Sequence, residues 1–149
     1  MEHKPYFPVF IDLSDKKTVV AGAGEAAREM TLNLLMFTDR ITVIAEKPDP
    51  SIADLAEEGK ISLLYKAYER EDIFDADLVI AAMDDEKEDS DIYAACRCLG
   101  IPVYVCGNRA REDFIIPETV RVGSLTVGIC DDGRNTENEK AFARRIRGI

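Results

Sequence analysis

Five short apolar runs, rich in β-branched residues, punctuate the chain up to residue 106: Thr18-Val19-Val20-Ala21, then 41–45, 61–64, 78–82 and 103–106. Runs of this length bounded by turn residues read as strands. The fourth, Leu78-Val79-Ile80-Ala81-Ala82, is apolar at every position, as a strand covered on both faces should be. Between the runs the apolar spacing becomes helical. Ala27, Met30, Leu34, Leu35 and Phe37 form one stripe. Ile52, Leu55 and Ala56 form a shorter one, with Ser51 expected as its N-cap and Gly59 as its stop. Ile92, Ala95, Cys96 and Leu99 form a third, capped by Gly100. Strand and helix therefore alternate over residues 16–106, which predicts a parallel sheet with right-handed crossovers and helices on both faces. Beyond it, Phe114-Ile115-Ile116-Pro117 and 125–130 read as two further strands and 137–147 as a terminal helix. This last segment is too small to bury a core of its own and is expected to pack on the main domain or on a second subunit.

The sharpest local signal joins the first strand to the first helix. Gly22-Ala23-Gly24-Glu25-Ala26-Ala27 is a G-x-G-x-x-A turn in the strand–turn–helix context of a dinucleotide fingerprint. Gly22 permits the tight turn. Gly24, without a Cβ, lets a diphosphate approach the backbone. Ala27 lets the helix lie close to the strand, and the helix N-terminus offers N–H groups and a positive dipole end. Glu46 ends the second strand 22 residues after Gly24, close to the spacing of about 20 expected for a ribose-binding acid. It favours NAD over NADP, although Lys47 lies beside it. A plain glycine turn with a solvated Glu is the bland alternative. In such sheets ligands sit beyond the carboxyl ends of the strands. There Asp84 and Asp85 follow the fourth strand, readable as substrate ligands or a base, or as acids complementing a helix N-terminus.

Composition narrows the function further. The 149 residues carry 19 Lys+Arg against 29 Asp+Glu, a formal charge of −10, with 46% hydrophobic and 32% charged residues. This suits a globular chain and argues against general binding to nucleic acid or anionic membrane. No apolar run approaches the roughly 18 residues of a membrane span, and the N-terminus has no signal-peptide architecture. The four cysteines then read as reduced thiols of a cytoplasmic protein. No metal site is expected: Cys96 and Cys98 lie on opposite sides of one helix, and no C-x-x-C exists. Cys96 reads as a buried apolar residue, and Cys106 as the end of the fifth strand at the mouth of the cleft. Arg134, Arg144, Arg145 and Arg147 concentrate cations near the C-terminus, suited to substrate carboxylates or to the helix C-terminal dipole.

Together these segments resemble the precorrin-2 dehydrogenase/sirohydrochlorin ferrochelatase family, the N-terminal module of siroheme synthases. The residues that carry the likeness are Pro5-Tyr6-Phe7-Pro8-Val9-Phe10 with Asp12-Leu13, the glycine turn with Arg28, 41–45, Ala81-Ala82-Met83-Asp84-Asp85, Asp113-Phe114-Ile115-Ile116-Pro117 and 123–129. The resemblance implies an α/β, Rossmann-like doubly wound sheet over residues 1–113 and a strand–strand–helix dimerisation arm over 114–149. It implies NAD-dependent oxidation of precorrin-2 to sirohydrochlorin by a homodimer, with iron insertion in some members. By position, Gly22, Gly24, Glu25 and Ala26 would meet the dinucleotide phosphates, and Glu46 and Lys47 its adenosine half.

The chain departs from the family pattern at specific positions. The catalytic Asp after the fifth strand is replaced by Gly107, followed by Asn108. Met83 stands for the usual Thr and Asp89 for the usual Asn. Asp131-Asp132-Gly133-Arg134-Asn135 replaces a Gly-Gly-x-Ser-Pro turn. Asp84, Asp113 and Asp131 are the candidate substitutes for the missing carboxylate, with Asn108 and Arg134 as candidate substrate contacts. The alternatives to an enzyme are a catalytically degenerate module that holds NAD or a tetrapyrrole, and a nucleotide-sensing regulatory domain.

Overall fold

The computed structural model describes residues 4–108, 111 and 113–148. It divides into two compact units, Asp12–Ile115 and a smaller one combining the segment up to Ile11 with the chain from Ile116 onward. The larger unit is built on five parallel strands, β1 (Thr18–Ala21), β2 (Ile41–Ile44), β3 (Ser62–Leu64), β4 (Leu78–Ala81) and β5 (Val103–Val105), in the order β3-β2-β1-β4-β5. The order reverses between β1 and β4, so the crevice that such sheets offer to ligands opens beyond Ala21 and Ala81. All eight residues of β1 and β4 are buried, which is why those runs show no alternation.

Three helices connect the strands: α1 (Glu25–Leu34), α2 (Pro50–Glu57) and α3 (Glu86–Leu99). α1 buries Ala27, Thr31 and Leu34. Thr31, absent from the expected apolar stripe, enters the core because its hydroxyl donates to the Ala27 carbonyl at 2.7 Å. The N-cap of α2 is Asp49 and not Ser51. The Asp49 carboxylate accepts from both the backbone N–H and the hydroxyl of Ser51, and Pro50 fills the first helical position, where no N–H is needed. α3 buries Asp89, Ile92, Ala95 and Cys96 and ends at Gly100 in the left-handed region, φ 71°. Leu99, expected in the buried stripe, is 42% exposed, because the last turn of α3 runs past the core. Residues 65–77, for which no pattern was read, include a 3-10 turn, Arg70–Ile73, that buries Ile73 beneath α3.

In the smaller unit β6 (Glu118–Val122) and β7 (Leu125–Ile129) form an antiparallel hairpin, and α4 (Thr136–Arg147) packs on it. β6 begins after the expected strand at 114–117. Pro117 has no N–H for a ladder, and Phe114 is held in the larger unit against Tyr104, ring centroids 6.0 Å apart. Among the described residues only Val120 and Ala143 of this unit are buried, whereas Phe7, Val9, Phe10, Ile11, Leu125 and Phe142 are more than half exposed.

Candidate functional site

The turn after β1 is shaped by two glycines for different reasons. Gly22 has φ +149°, and its N–H donates to the Ile44 carbonyl at 3.0 Å. A Cβ there would lie 2.0 Å from the Ala82 carbonyl oxygen, so the close approach of the chain leaving β1 to that leaving the parallel neighbour β4 requires glycine. Gly24 is the N-cap of α1 and supplies no side-chain cap. The first-turn N–H groups of α1, which have no helical partner at any helix N-terminus, thus have no side-chain cap and are available to an anion. Ala27 is fully buried, bringing α1 close against β1.

Two cavities lie along the carboxyl ends of the strands. The first, about 580 Å³, is lined by Gly22 and Ala23, by Glu46 and Lys47 after β2, by Lys66 and Tyr68 after β3, and by Lys87, Glu88 and Asp91 of α3. Glu46 and the glycine turn thus line one cavity. Lys66 is anchored to Asp72 at 2.6 Å, which raises its pKa. The Tyr68 hydroxyl is buried without a hydrogen-bond partner among the described residues, and burial pushes its pKa up to about 12. Lys66 and Tyr68 escaped the sequence reading because they stand in a stretch without periodicity.

The second cavity, about 370 Å³, lies at the ends of β4 and β5. It is lined by Asp84, Asp85, Glu86 and Asp89 and by Cys106, Gly107, Asn108 and Arg111. Asp85 is the N-cap of α3, its carboxylate accepting from the Glu88 N–H at 3.0 Å. Asp89 is buried and accepts from the Met83 N–H at 3.0 Å, which pins the turn after β4. Burial raises its pKa, and the neighbouring Asp84, Asp85 and Glu88 add to the effect. The Cys106 thiol is pushed up to about 12, first by burial and then by Asp89, Asp84 and Glu29. It is held as a neutral thiol. Arg111 stacks on Tyr93, its guanidinium carbon 5.9 Å from the ring centroid.

The three candidate carboxylates part company here. Asp84 is exposed at the mouth of the crevice, in the left-handed region at φ 58°, with one carboxylate oxygen 2.9 Å from where a Gly24 Cβ would be. Asp113 lies at the amino end of β5, away from the carboxyl ends of the strands: one oxygen receives Arg97 at 2.7 Å, and the other accepts from the N–H of Val103, the first residue of β5. Asp131, in the smaller unit, spends its oxygens on the Gly133 N–H and the Asn138 side chain. Arg134 belongs to the same turn, with φ 56°. Arg147 reaches Glu118 of β6 at 3.6 Å. Among the described residues no cluster of three or more His, Cys, Asp or Glu could hold a metal ion, and no helix is long and apolar enough to cross a membrane.

The glycine turn, the uncapped α1 and Glu46 offer what the diphosphate and ribose of a dinucleotide require. The family model NAD_binding_7, described as "Putative NAD(P)-binding", matches residues 9–118. The siroheme synthase of Pseudoalteromonas atlantica is 32% identical over 128 residues, 86% of this chain and 28% of the relative. That of Nitrosospira multiformis is 33% identical over 145 residues, 95% of this chain and 31% of the relative. The chain thus spans under a third of the length of these relatives. A solved structure titled "SirC, precorrin-2 dehydrogenase" shares the fold with a TM-score of 0.73 at 20% identity, covering 96% of this chain and 70% of its own. The chain belongs to this NAD(P)-binding family.

Proposed function

We propose that the chain binds NAD across the carboxyl ends of β1, β2 and β4 and oxidises precorrin-2 to sirohydrochlorin in the cytoplasm, as a homodimer. The observation that carries this reading is the shared wall: an uncapped helix N-terminus beside Gly22 and Ala23, with Glu46 on the same crevice. Gly24, Glu25 and Ala26 sit where the diphosphate would be held by backbone N–H groups, and Glu46 is placed to accept from ribose hydroxyls and to repel a 2′-phosphate. When bound, the nicotinamide supplies a hydride acceptor. The chain must then orient the tetrapyrrole and take up the proton released with the hydride. Of the three candidate carboxylates, Asp84 alone has neither a hydrogen bond nor an ion pair among the described residues and lines the cavity beside Gly107, so it is assigned as the proton acceptor. Asn108 and Arg111 line the same cavity and are assigned to the substrate.

A second reading, a binding module without turnover, is favoured by Gly107, which can neither take a proton nor hold a metal. Anaerobic incubation with precorrin-2 and NAD separates the two. The first reading gives equal yields of sirohydrochlorin and NADH above a protein-free control. Calorimetric binding of NAD without product supports the second. Ferrous iron added to the same assay reads iron insertion through the siroheme spectrum. The homodimer is supported by the exposed apolar residues of the smaller unit, and a monomer mass on gel filtration with light scattering would refute it.

A further inference from the structure

The reason for the second glycine of a dinucleotide turn is the space its missing Cβ leaves for a diphosphate. In this chain that space is taken. An Asp84 carboxylate oxygen stands 2.9 Å from the position a Gly24 Cβ would occupy. Asp84 reaches it from the turn after β4, whose geometry is fixed independently. The Met83 N–H is held by buried Asp89 at 3.0 Å, Asp85 caps α3, and Asp84 between them adopts φ 58°. That region is uncommon for a side chain other than glycine, with Asp and Asn among its more tolerant occupants. Asp84 is thus aimed at the phosphate turn by its neighbours, while its own carboxylate has no hydrogen-bond or ion-pair partner among the described residues.

We propose that Asp84 is a displaceable anionic plug of the phosphate turn. Its carboxylate fills the space above Gly24 until a diphosphate drives it out, and its charge sets the affinity of the site for phosphate-bearing nucleotides. The inference rests on the reading of the turn as a diphosphate site and deepens it. Two features make the plug displaceable. Asp84 is exposed, so no packing holds its side chain in place. It also lines the cavity of about 370 Å³ at the ends of β4 and β5, which gives the carboxylate somewhere to turn. A dinucleotide has to overcome both the occupied volume and the repulsion between a carboxylate and two phosphates. At the effective dielectric of a partly exposed site this repulsion is worth roughly a three- to tenfold change in affinity, and it is screened by salt.

The test is calorimetric titration of the full chain and of Asp84→Asn with NAD, ADP and adenosine, at low and high salt. Asn keeps the size of the side chain and tolerates the backbone conformation, and circular dichroism reports whether the variant folds. Asp84→Gly, which also suits φ 58°, provides a second route to the same answer. The expected result is NAD and ADP binding about three- to tenfold tighter in both variants, with adenosine unchanged and the gain shrinking at high salt. Unchanged or weaker NAD binding in both variants, with the wild type still binding, overturns the plug and leaves the phosphate turn standing. If neither wild type nor variants bind NAD or ADP, the diphosphate reading itself has failed and the plug falls with it.

Discussion

Replacing either glycine of the turn by alanine separates two roles that the motif alone runs together. At Gly22 the added Cβ would lie 2.0 Å from the Ala82 carbonyl oxygen and 2.5 Å from its carbon, where real contacts are not shorter than 3.0 Å. The overlap of about 1 Å falls on backbone. Ala21 and Ala82 are buried and joined by a 2.8 Å hydrogen bond, so β4 cannot move aside without disturbing the core. The φ of +149° adds strain for any L-residue. Overpacking costs about 1–3 kcal/mol and an unfavourable backbone region about 1–3 kcal/mol more. Gly22→Ala is therefore expected to destabilise by about 2–6 kcal/mol. In a chain of this size that is a fall in Tm of roughly 5–20 °C. At Gly24 the nearest atom is the end of the Asp84 side chain at 2.9 Å, which can rotate, and φ is −96°. Gly24→Ala should cost about 1 kcal/mol or less, as a weakened N-cap, while reducing NAD affinity. Thermal unfolding followed by circular dichroism decides. If the two variants lose stability equally, the assignment of Gly22 to strand packing and Gly24 to ligand approach is wrong.

Other outcomes follow from the same geometry. Glu46→Gln should raise the affinity for NADP relative to NAD by about tenfold, since it removes a charge that repels a 2′-phosphate; an unchanged ratio by calorimetry would remove Glu46 from the ribose site. Asp89→Asn should keep a hydrogen bond to the Met83 N–H and relieve the burial of a charge. Because the folded-state pKa of Asp89 is raised, the native state binds the proton more tightly than the unfolded chain, and wild-type stability falls as pH rises through that window. The gain from Asp89→Asn is then full at neutral pH and disappears as pH falls through the raised value toward the ordinary 3.8; a gain that persists in acid would refute it. Thiol labelling at pH 8 should modify exposed Cys98 first. It should leave Cys96 unmodified until the chain unfolds, because burial pushes that thiol up to about 12; mass mapping of the labelled peptides checks the order.

What the sequence made legible was whatever a period or a local turn encodes. The sheet was readable because β1 and β4 have no exposed face and so show no alternation. The strand-to-helix glycine turn and the Gly100 cap were readable because each depends on a glycine at a fixed offset from an element. Asp89 was not, because its burial depends on a tertiary partner, the Met83 N–H, and a carboxylate in a helix ordinarily counts as solvent-facing. Asp113 was a candidate substitute for the missing carboxylate; its N–H donates to the Val103 carbonyl at the start of β5, a tertiary contact that no local pattern encodes. Ser51 was read as the cap although it lies inside α2, because Pro50 can occupy the first helical position and so moves the cap back to Asp49.

The two halves of the crevice carry different electrical characters, and this bears on what each can do. Around the glycine turn Lys47, Lys66 and Lys87 balance Glu46, Glu88 and Asp91. The wall is neutral overall, with backbone N–H groups as its distinctive feature. At the ends of β4 and β5, Asp84, Asp85, Glu86 and Asp89 face a single described cation, Arg111. An anionic ligand is attracted to the first wall by the dipole of α1 and repelled by the second. A cationic or neutral ring is attracted to or tolerated by the second. A dinucleotide whose phosphates are anionic and whose oxidised nicotinamide is cationic matches that sequence of charges from one half to the other. Gly107 places no charge on the second wall and leaves the first, where the dipole of α1 acts on the phosphates, unaltered. Turnover therefore has to be read from product formation, because affinity for the phosphate half of a dinucleotide does not report on proton uptake at the second wall.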